Sequence, residues 1–340
     1  MPRFSTFLET DVDKELRQNL HDVHLEVCSF VKSLLRSLGA RKVFVVAVGS
    51  SPKETNTAGS DLDCACHCEA PARNGRYYPY GLGRVARNFR FFSTSGKTFE
   101  IEGCTLKFEN EHYERNNRMH LLLLHLHYKK GLIEFQCSVD VTERQDYSSL
   151  FNTLFVRHYT TSDPNVGELI VSIKLRFAAL NLKKIIIGYG WELLTIIALT
   201  QLKKVPVVDP VRFQVSPTFF NSMAFFGDIR DFDYQASVLG DALWSEFEGQ
   251  SFSEAEVLLH IREMLRARTD GQQLVLRFRD TDIKPNVPSA ALVLVDPCVP
   301  SDSLGSNVAR TLDSNGLDRI RLGLNFIIAD LSKNTSRRFH

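Results

Sequence analysis

The hydrophobic and polar positions divide the chain into a strand-rich first half and a helix-rich second half. Over residues 11–38 apolar side chains recur every three or four positions, which predicts a long helix that ends at Gly39. A β-branched run over residues 42–48 predicts a strand, which stops at the turn residues Gly49 and Ser50. A second strand is predicted over residues 61–68. A helix and two strands joined by a glycine-containing turn therefore open the chain.

The rest of the pattern separates a sheet from a set of helices. Further strands of an antiparallel sheet are predicted over residues 98–108, 120–128 and 132–141, after a helix that carries Arg84, Arg87 and Arg90 on one face. Helices are predicted over residues 168–182, 190–201, 252–268 and 317–332, with a short strand at 291–295. We predict an α+β chain of two lobes, with a mixed, mostly antiparallel sheet core over residues 1–150 and a helical C-terminal lobe over residues 151–340.

Composition and charge narrow the class of protein. The 340 residues are 44% hydrophobic and 24% charged, which is typical of a globular chain, and the net charge of +1 provides no global attraction to nucleic acid or membrane. The longest apolar run, residues 185–199, is shorter than the roughly 20 residues that span a bilayer. The seven cysteines contain no CxxC pair, which disfavours a disulfide framework and a structural zinc site. We expect a cytoplasmic protein with reduced thiols, no membrane partner and no oligomeric state fixed by its sequence.

Candidate chemistry is concentrated around the first turn. Asp61 and Asp63 are two positions apart at the start of a strand, so their carboxylates project from the same face and require a cation between them. Hard oxygen ligands of this kind suit Mg²⁺. The turn at Gly49 and Ser50 offers backbone N–H groups to a phosphate, and Asp140 supplies a third carboxylate from a later strand. On the same alternation Cys64, Cys66, Cys68 and Cys137 face away from the acids, as packing residues.

The Gly-Ser turn, Ser60-Asp-Leu-Asp63 and Val139-Asp-Val141 together resemble the polymerase-β-type nucleotidyltransferases. The resemblance implies attack of a ribose hydroxyl on the α-phosphate of a nucleoside triphosphate, in a cleft between the two lobes, with pyrophosphate as the leaving group. Asp61 and Asp63 would hold two Mg²⁺ ions, for which Mn²⁺ can substitute, and Asp140 would complete the metal near the attacking hydroxyl. Gly49, Ser50 and Ser60 would bind the nucleotide.

Within that superfamily the chain is most similar to the 2′-5′ oligoadenylate synthetases and the cyclic GMP-AMP synthase-like receptors. Leu169-Ile-Val-Ser-Ile-Lys-Leu175 resembles the segment whose lysine reaches the donor triphosphate, which implies that role for Lys174. Tyr189-Gly-Trp-Glu-Leu-Leu-Thr195 resembles the segment whose tyrosine stacks on the donor base, and Leu294-Val-Asp-Pro-Cys-Val-Pro300 resembles a segment near the C-terminus. The resemblance implies synthesis of 2′-5′-linked oligoadenylates from ATP, in innate antiviral defence.

Several alternatives stay open. The product could instead be a cyclic dinucleotide, the chain could be a terminal RNA nucleotidyltransferase, or it could be an inactive relative that binds RNA or nucleotide. The family's third acid matches either Asp140 or Gln136, and 77 positions separate Asp63 from Asp140, which favours the synthetase branch. Lys174 could pair with a carboxylate in its own lobe, and Tyr189 could be a core aromatic. No thiol lies near His158, unlike in the zinc module of vertebrate cyclic GMP-AMP synthase.

Basic residues provide a candidate surface for double-stranded RNA. In the synthetase family a positive face binds the duplex through phosphates and ribose hydroxyls. The residues that the sequence offers for it are Arg36, Arg41, Lys42 and Lys53. Charge runs are often only a solvated surface, so activation by double-stranded RNA is an expectation of the resemblance.

Overall fold

The computed structural model describes residues 11–57, 60–71, 77–78, 81–89, 98–101, 104–116, 119–130, 133–144, 148–182, 185–213, 243–247, 249–266, 273–279, 282, 290–299, 307–309 and 312–337. The described residues form two compact units, which meet in sequence at Leu154 and Phe155. The domain boundary at residue 150 stays a prediction. Within the described ranges no helix combines the length and the apolarity that a membrane span requires.

The first unit is built on a mixed sheet. Its elements are α1 (Asp11–Ser37), β1 (Arg41–Val48), β2 (Leu62–Pro71), β3 (Tyr77–Tyr78), α2 (Leu82–Phe89), β4 (Thr98–Ile101), β5 (Cys104–Asn116), β6 (Met119–Lys130), β7 (Ile133–Arg144) and the start of α3 (Ser148–Ser162). The strand order is β1-β2-β7-β6-β5-β4, with β3 paired to β2. The β2–β7 pair is parallel, and the other pairs in this sheet are antiparallel.

Helix α1 covers one face of this sheet because both elements carry a regular apolar pattern. Apolar side chains of α1 from Leu20 to Leu35 share one buried cluster with those of β1, β2, β6 and β7. Along β2 buried and half-buried residues alternate, so Leu62 and Cys64 face this cluster while Asp63 lies on the opposite face. Burial of the apolar stripe of α1 thereby fixes which face of β2 carries the acid.

The second unit is mainly helical. It contains the remainder of α3, α4 (Pro164–Ala179), α5 (Gly188–Gln201), α6 (Glu254–Met264), α7 (Ser314–Arg337) and a parallel pair formed by β8 (Leu274–Leu276) and β9 (Leu292–Leu294). Helix α4 begins after Asp163, whose side chain caps the N–H of Asn165. Helix α5 is buried along most of its length, as the apolar run predicts.

The predicted α+β class with a mixed sheet and a helical second half is confirmed. The predicted single strand over residues 98–108 is wrong in detail, because Ile101 pairs with Cys104 and the chain folds back there into β4 and β5. Cys64, Cys66 and Cys68 are buried on the core face, as predicted. The side chain of Cys137 and the predicted position of Arg90 lie outside the described residues.

Candidate active site

The parallel pairing of β2 and β7 brings two of the three candidate acids together. Asp63 on β2 is the register partner of Asp140 on β7, and the two strands lie about 4.8 Å apart in a sheet. Both side chains are half-buried. Asp61 is exposed and lies one residue before β2 begins at Leu62. Two carboxylates side by side on neighbouring strands repel each other unless a cation lies between them.

The backbone register also separates Asp140 from Gln136, the other candidate for the third acid. Gln136 lies four residues earlier on β7, about 13 Å away along the strand, and its partner on β6 is His127. The paired residues of β2 and β7 run from Leu62 and Val139 to Ala65 and Thr142. Asp140 is therefore the residue of β7 that lies beside Asp63.

Gly49 lies against the carboxylate of Asp63. A Cβ atom on Gly49 would lie only 2.8 Å from both Cβ and Cγ of Asp63, and the φ of +80° at Gly49 also favours glycine. The Gly49 N–H donates to Oγ1 of Thr153 at 3.0 Å, and that hydroxyl donates to the Ser149 carbonyl at 2.7 Å. Glycine at this position lets the turn approach Asp63, and the hydrogen bond to Thr153 in α3 anchors the turn. The sequence carried no signal for the role of Thr153.

The loop after Gly49 is compact. The Ser50 carbonyl accepts the N–H of Thr55 at 3.0 Å, and residues 51–57 contain no helix. Ser60 closes the end of the loop, because its Oγ accepts the N–H of Thr57 at 2.9 Å. Lys53 is buried within this loop. Ser50 and Ser60 thus bracket a loop that leads from the Gly49 turn to the acids.

Lys174 on α4 has an acidic partner on α5. Its Nζ lies 2.5 Å from Oε1 of Glu192, and both side chains are buried. Such a pair offsets the cost of burying a lysine on an apolar helix. A Cβ on Gly188 would lie 3.8 Å from the same Nζ, so the first residue of α5 borders the ammonium. The sequence showed Glu192 only as a charged residue inside an apolar run.

Tyr189 is half-buried and bonded through its hydroxyl. The hydroxyl donates to Oδ1 of Asp296 at 3.0 Å, and the same oxygen accepts the N–H of Cys298 at 2.9 Å. Burial, reinforced by the negative charge of Asp296, raises the pKa of the Tyr189 hydroxyl well above its usual value. The hydroxyl is therefore a fixed donor that holds the ring against the segment after β9.

Glu143 is a buried acid near the end of β7 that the sequence did not single out. Its two carboxylate oxygens accept the N–H groups of Cys68 at 3.0 Å and Leu82 at 2.8 Å, so it joins β2 to the start of α2. Burial raises the pKa of Glu143 to about 7, although the hydrogen bonds from Cys68, Leu82 and Gly81 favour its charged form.

The basic residues do not share one environment. Arg36, Arg41 and Lys42 are exposed where α1 ends and β1 begins, and Lys42 pairs with Glu69 at 2.9 Å. Lys53 is buried, so it does not belong to that exposed group. A role of these four residues in RNA binding stays a prediction.

The donor set around Asp63 fits a hard divalent cation. Carboxylate oxygens are the ligands of Mg²⁺ and Mn²⁺, and half-buried side chains leave coordination positions for water or phosphate oxygens. Asp63, Asp140 and the exposed Asp61 supply such oxygens next to a turn with no side chain at Gly49. The number of ions stays a prediction.

Comparison with known proteins finds similarity in structure but not in sequence. No protein-family model and no curated protein sequence matches the chain. Among solved structures, Cid1 poly(U) polymerase bound to MgGTP matches with a TM-score of 0.58 and 16% identity, over 97% of this chain and 92% of that chain.

This chain has the fold of Cid1. Cid1 in complex with its short product ApU matches with a TM-score of 0.56 and 17% identity, over 97% of this chain and 91% of that one. Another Cid1 structure, reported as a basis for its RNA terminal uridylyl transferase activity, matches with a TM-score of 0.50 and 16% identity, over 94% of this chain and 88% of that one. At these identities the likeness shows a nucleotidyltransferase fold with a helical lobe. Membership of the 2′-5′ oligoadenylate synthetases in particular stays a prediction.

Proposed function

We propose that this protein is a nucleotidyltransferase that adds nucleotides to the 3′ end of RNA. The observation that carries the proposal is the register pair of Asp63 and Asp140, placed beside the Gly49 turn. Carboxylates in this arrangement would bind divalent cations, and the adjoining turn would bind a triphosphate. The likeness to Cid1 over 97% of the chain supports the same class of reaction.

Each candidate site residue of the first unit has a proposed role. Asp61 and Asp63 would hold Mg²⁺, and Asp140 would complete the site next to the attacking ribose hydroxyl and accept its proton. When bound, the metal would lower the pKa of that hydroxyl and neutralise charge on the phosphates. The Ser50 N–H and the hydroxyls of Ser50 and Ser60 are proposed to bind and orient the triphosphate, while Gly49, whose own N–H is bonded to Thr153, would let the phosphates approach the turn.

The second unit offers two residues for the nucleotide. Lys174 keeps the role toward the triphosphate that the resemblance implies, and its buried Nζ, paired with Glu192, is bordered by Gly188. Tyr189 keeps its proposed role as a stacking surface, and the hydrogen bond from its hydroxyl to Asp296 would hold the half-buried ring in place. Glu192 and Asp296 would position these two side chains.

The comparisons with Cid1 favour an RNA 3′ end as the acceptor over 2′-5′ oligoadenylate synthesis. Cid1 is a poly(U) polymerase, and its structures include one with a short RNA product. The chain resembles Cid1 in both its sheet unit and its helical unit. The separation of 77 positions between Asp63 and Asp140, which favoured the synthetase branch, does not prevent this likeness. Synthesis of 2′-5′ oligoadenylates, which the segments around Lys174 and Tyr189 favoured, has no corresponding support among the comparisons. Activation by double-stranded RNA is expected only if the protein carries out 2′-5′ synthesis, the second candidate function.

The test is extension of a labelled single-stranded RNA in Mg²⁺ with each of the four nucleoside triphosphates. A matched primer ends in a 3′-deoxynucleotide, which keeps the 2′-hydroxyl and lacks the 3′-hydroxyl. We expect extension of the normal primer and none of the 3′-deoxy primer. Extension of the 3′-deoxy primer, or oligomers formed from ATP alone and accelerated by double-stranded RNA, would instead support 2′-5′ synthesis.

Two variants connect that activity to the proposed acids. Asp63→Asn removes one carboxylate of the register pair and is expected to abolish incorporation. Glu69→Gln removes a carboxylate from the same strand, six residues further on, whose partner is the exposed Lys42, and is expected to keep the activity. No incorporation by the wild-type protein with any nucleotide, primer or divalent ion would overturn the proposed function.

A further inference from the structure

A second group of metal-ligand side chains lies on the core face of the sheet, behind the acids. His24 and Cys28 are one helical turn apart on α1, and Cys64 faces them from β2. One ligand atom from each of these residues lies within 4.8 Å of the other two. The Sγ atoms of Cys28 and Cys64 are 3.5 Å apart, and Sγ of Cys64 is 3.7 Å from Nε2 of His24.

These separations match those of ligands on one metal ion. Thiolates at about 2.3 Å from a tetrahedral ion lie about 3.8 Å apart, and a thiolate and an imidazole nitrogen lie about 3.5 Å apart. The structure has 3.5 Å and 3.7 Å for the same two pairs. The third separation, between Sγ of Cys28 and the imidazole nitrogen of His24, is within 4.8 Å, so modest side-chain shifts would bring all three atoms onto one ion.

The group is buried in the core between α1 and β2. His24 and Cys64 are completely buried, and Cys28 is 4% exposed. Nε2 of His24 faces Sγ of Cys64 and is therefore the ring nitrogen available to an ion. Nδ1 is buried and has no hydrogen-bond partner among the described residues, and it would stay unsatisfied with an ion on Nε2. That costs about 1–3 kcal/mol, which an apolar side chain at this position would avoid.

We propose that His24, Cys28 and Cys64 bind a thiophilic d10 metal ion, Zn²⁺ or Cu⁺. Two thiolates and one imidazole form a soft ligand set without the carboxylates that Mg²⁺ or Ca²⁺ require. Binding releases the two thiol protons, and two thiolates neutralise the charge of Zn²⁺ in the dry core. Three protein ligands match trigonal Cu⁺, and Zn²⁺ takes one further ligand.

The ion would fasten α1 to the back of the strand that carries Asp63. Cys64 directly follows Asp63 in β2, and the two side chains lie on opposite faces. The site would stabilise the sheet that holds the acids without touching a nucleotide. This inference is independent of the proposed function, because the ligands would bind the ion whether or not the acids catalyse nucleotidyl transfer.

The first test is the metal content of the full-length protein, purified under reducing conditions without metal-affinity resin. Elemental analysis is expected to find Zn²⁺ or copper in near-stoichiometric amount, and the identity of the element decides between the two ions. Refolding from denaturant with a chelator and then Co²⁺ is expected to give the intense near-ultraviolet bands of thiolate coordination. Metal-free protein that also gives no such bands with Co²⁺ would overturn the proposal.

Variants then assign the ligands. Cys28→Ser and His24→Ala are expected to reduce the bound metal to traces and to weaken the Co²⁺ bands. Cys68→Ser is the matched control, because Cys68 is buried on the same face of β2 but lies four residues, about 13 Å, from Cys64. Metal content that survives in Cys28→Ser and in His24→Ala, or a disulfide joining Cys28 to Cys64 in the isolated protein, would also overturn the proposal.

Discussion

Lys174 and Glu192 form an ion pair that is buried inside the helical unit, between α4 and α5. Removal of one member of such a pair is expected to cost about 3–5 kcal/mol, because it leaves the other charge in a medium of low polarity. Glu192→Gln should therefore lower the free energy of unfolding by this amount in urea titrations. A change of less than about 0.5 kcal/mol would show that the pair contributes little.

The double variant Lys174→Met with Glu192→Leu separates stability from function. Replacing both charges by apolar side chains of similar size is expected to recover most of the lost stability. If Lys174 binds the triphosphate, this double variant still has a strongly raised KM for the nucleoside triphosphate. A stable double variant with an unchanged KM would exclude Lys174 from nucleotide binding.

Gly49→Ala tests the close approach of the turn to Asp63. The new Cβ meets the Asp63 side chain, and the positive φ adds about 1–2 kcal/mol of strain. Gly249→Ala is a matched control, because Gly249 also has a positive φ, of +77°, but a Cβ added there would have no atom of the described residues within 4 Å. Both variants should lose similar stability from backbone strain, and only Gly49→Ala should lose nucleotide incorporation. Equal activity of the two variants would contradict the assignment.

Tyr189→Phe and Tyr189→Ala distinguish the ring from the hydroxyl. The Phe variant loses only the hydrogen bond to Asp296, so we expect a stability loss of about 1 kcal/mol and a nearly unchanged KM. The Ala variant also loses the proposed stacking surface, which is worth about 1–3 kcal/mol per base and corresponds to a KM increase of about 5- to 150-fold. If both variants raise the KM equally, the hydroxyl and not the ring binds the nucleotide.

Glu143 predicts a pH dependence of stability. Its pKa is about 7 in the folded protein and 4.5 in the unfolded chain, so between these values the folded state holds a proton that the unfolded state has released. The free energy of unfolding should therefore fall as pH rises from 4.5 to 7, by about 3 kcal/mol for this group. Glu143→Gln should remove this part of the slope in urea titrations at several pH values. An unchanged slope would show that Glu143 does not titrate in this range.

Local patterns predicted much of the candidate site. The alternation along β2 separated Asp63 from Cys64 correctly, and the turn chemistry of Gly49 and Ser50 marked the end of β1. The periodicity of α1 and the apolar run of α5 predicted two helices that the structure contains. These features depend on residues close together in the chain, where side-chain period and turn preference determine the outcome.

Long-range pairings could not be predicted in the same way. The parallel register that places Asp140 rather than Gln136 beside Asp63 joins strands more than seventy residues apart. Glu192 was visible only as an interruption of an apolar run, and its contact with Lys174 depends on how α4 packs on α5. The cluster of His24, Cys28 and Cys64 joins a helix to a strand, so no spacing within either segment revealed it.

A comparison of Asp140→Asn with Gln136→Ala, in single-turnover incorporation of labelled nucleotide into RNA, decides whether the register pair is catalytic. Asp140 lies beside Asp63 in the register of β2 and β7, and Gln136 lies four residues before it. We expect Asp140→Asn to lower the rate at least about a hundredfold, because the proposed proton acceptor and metal ligand is lost, while Gln136→Ala stays near the wild-type rate. A wild-type rate in Asp140→Asn, with its fold confirmed by urea titration, would show that the pair of Asp63 and Asp140 is not the catalytic site.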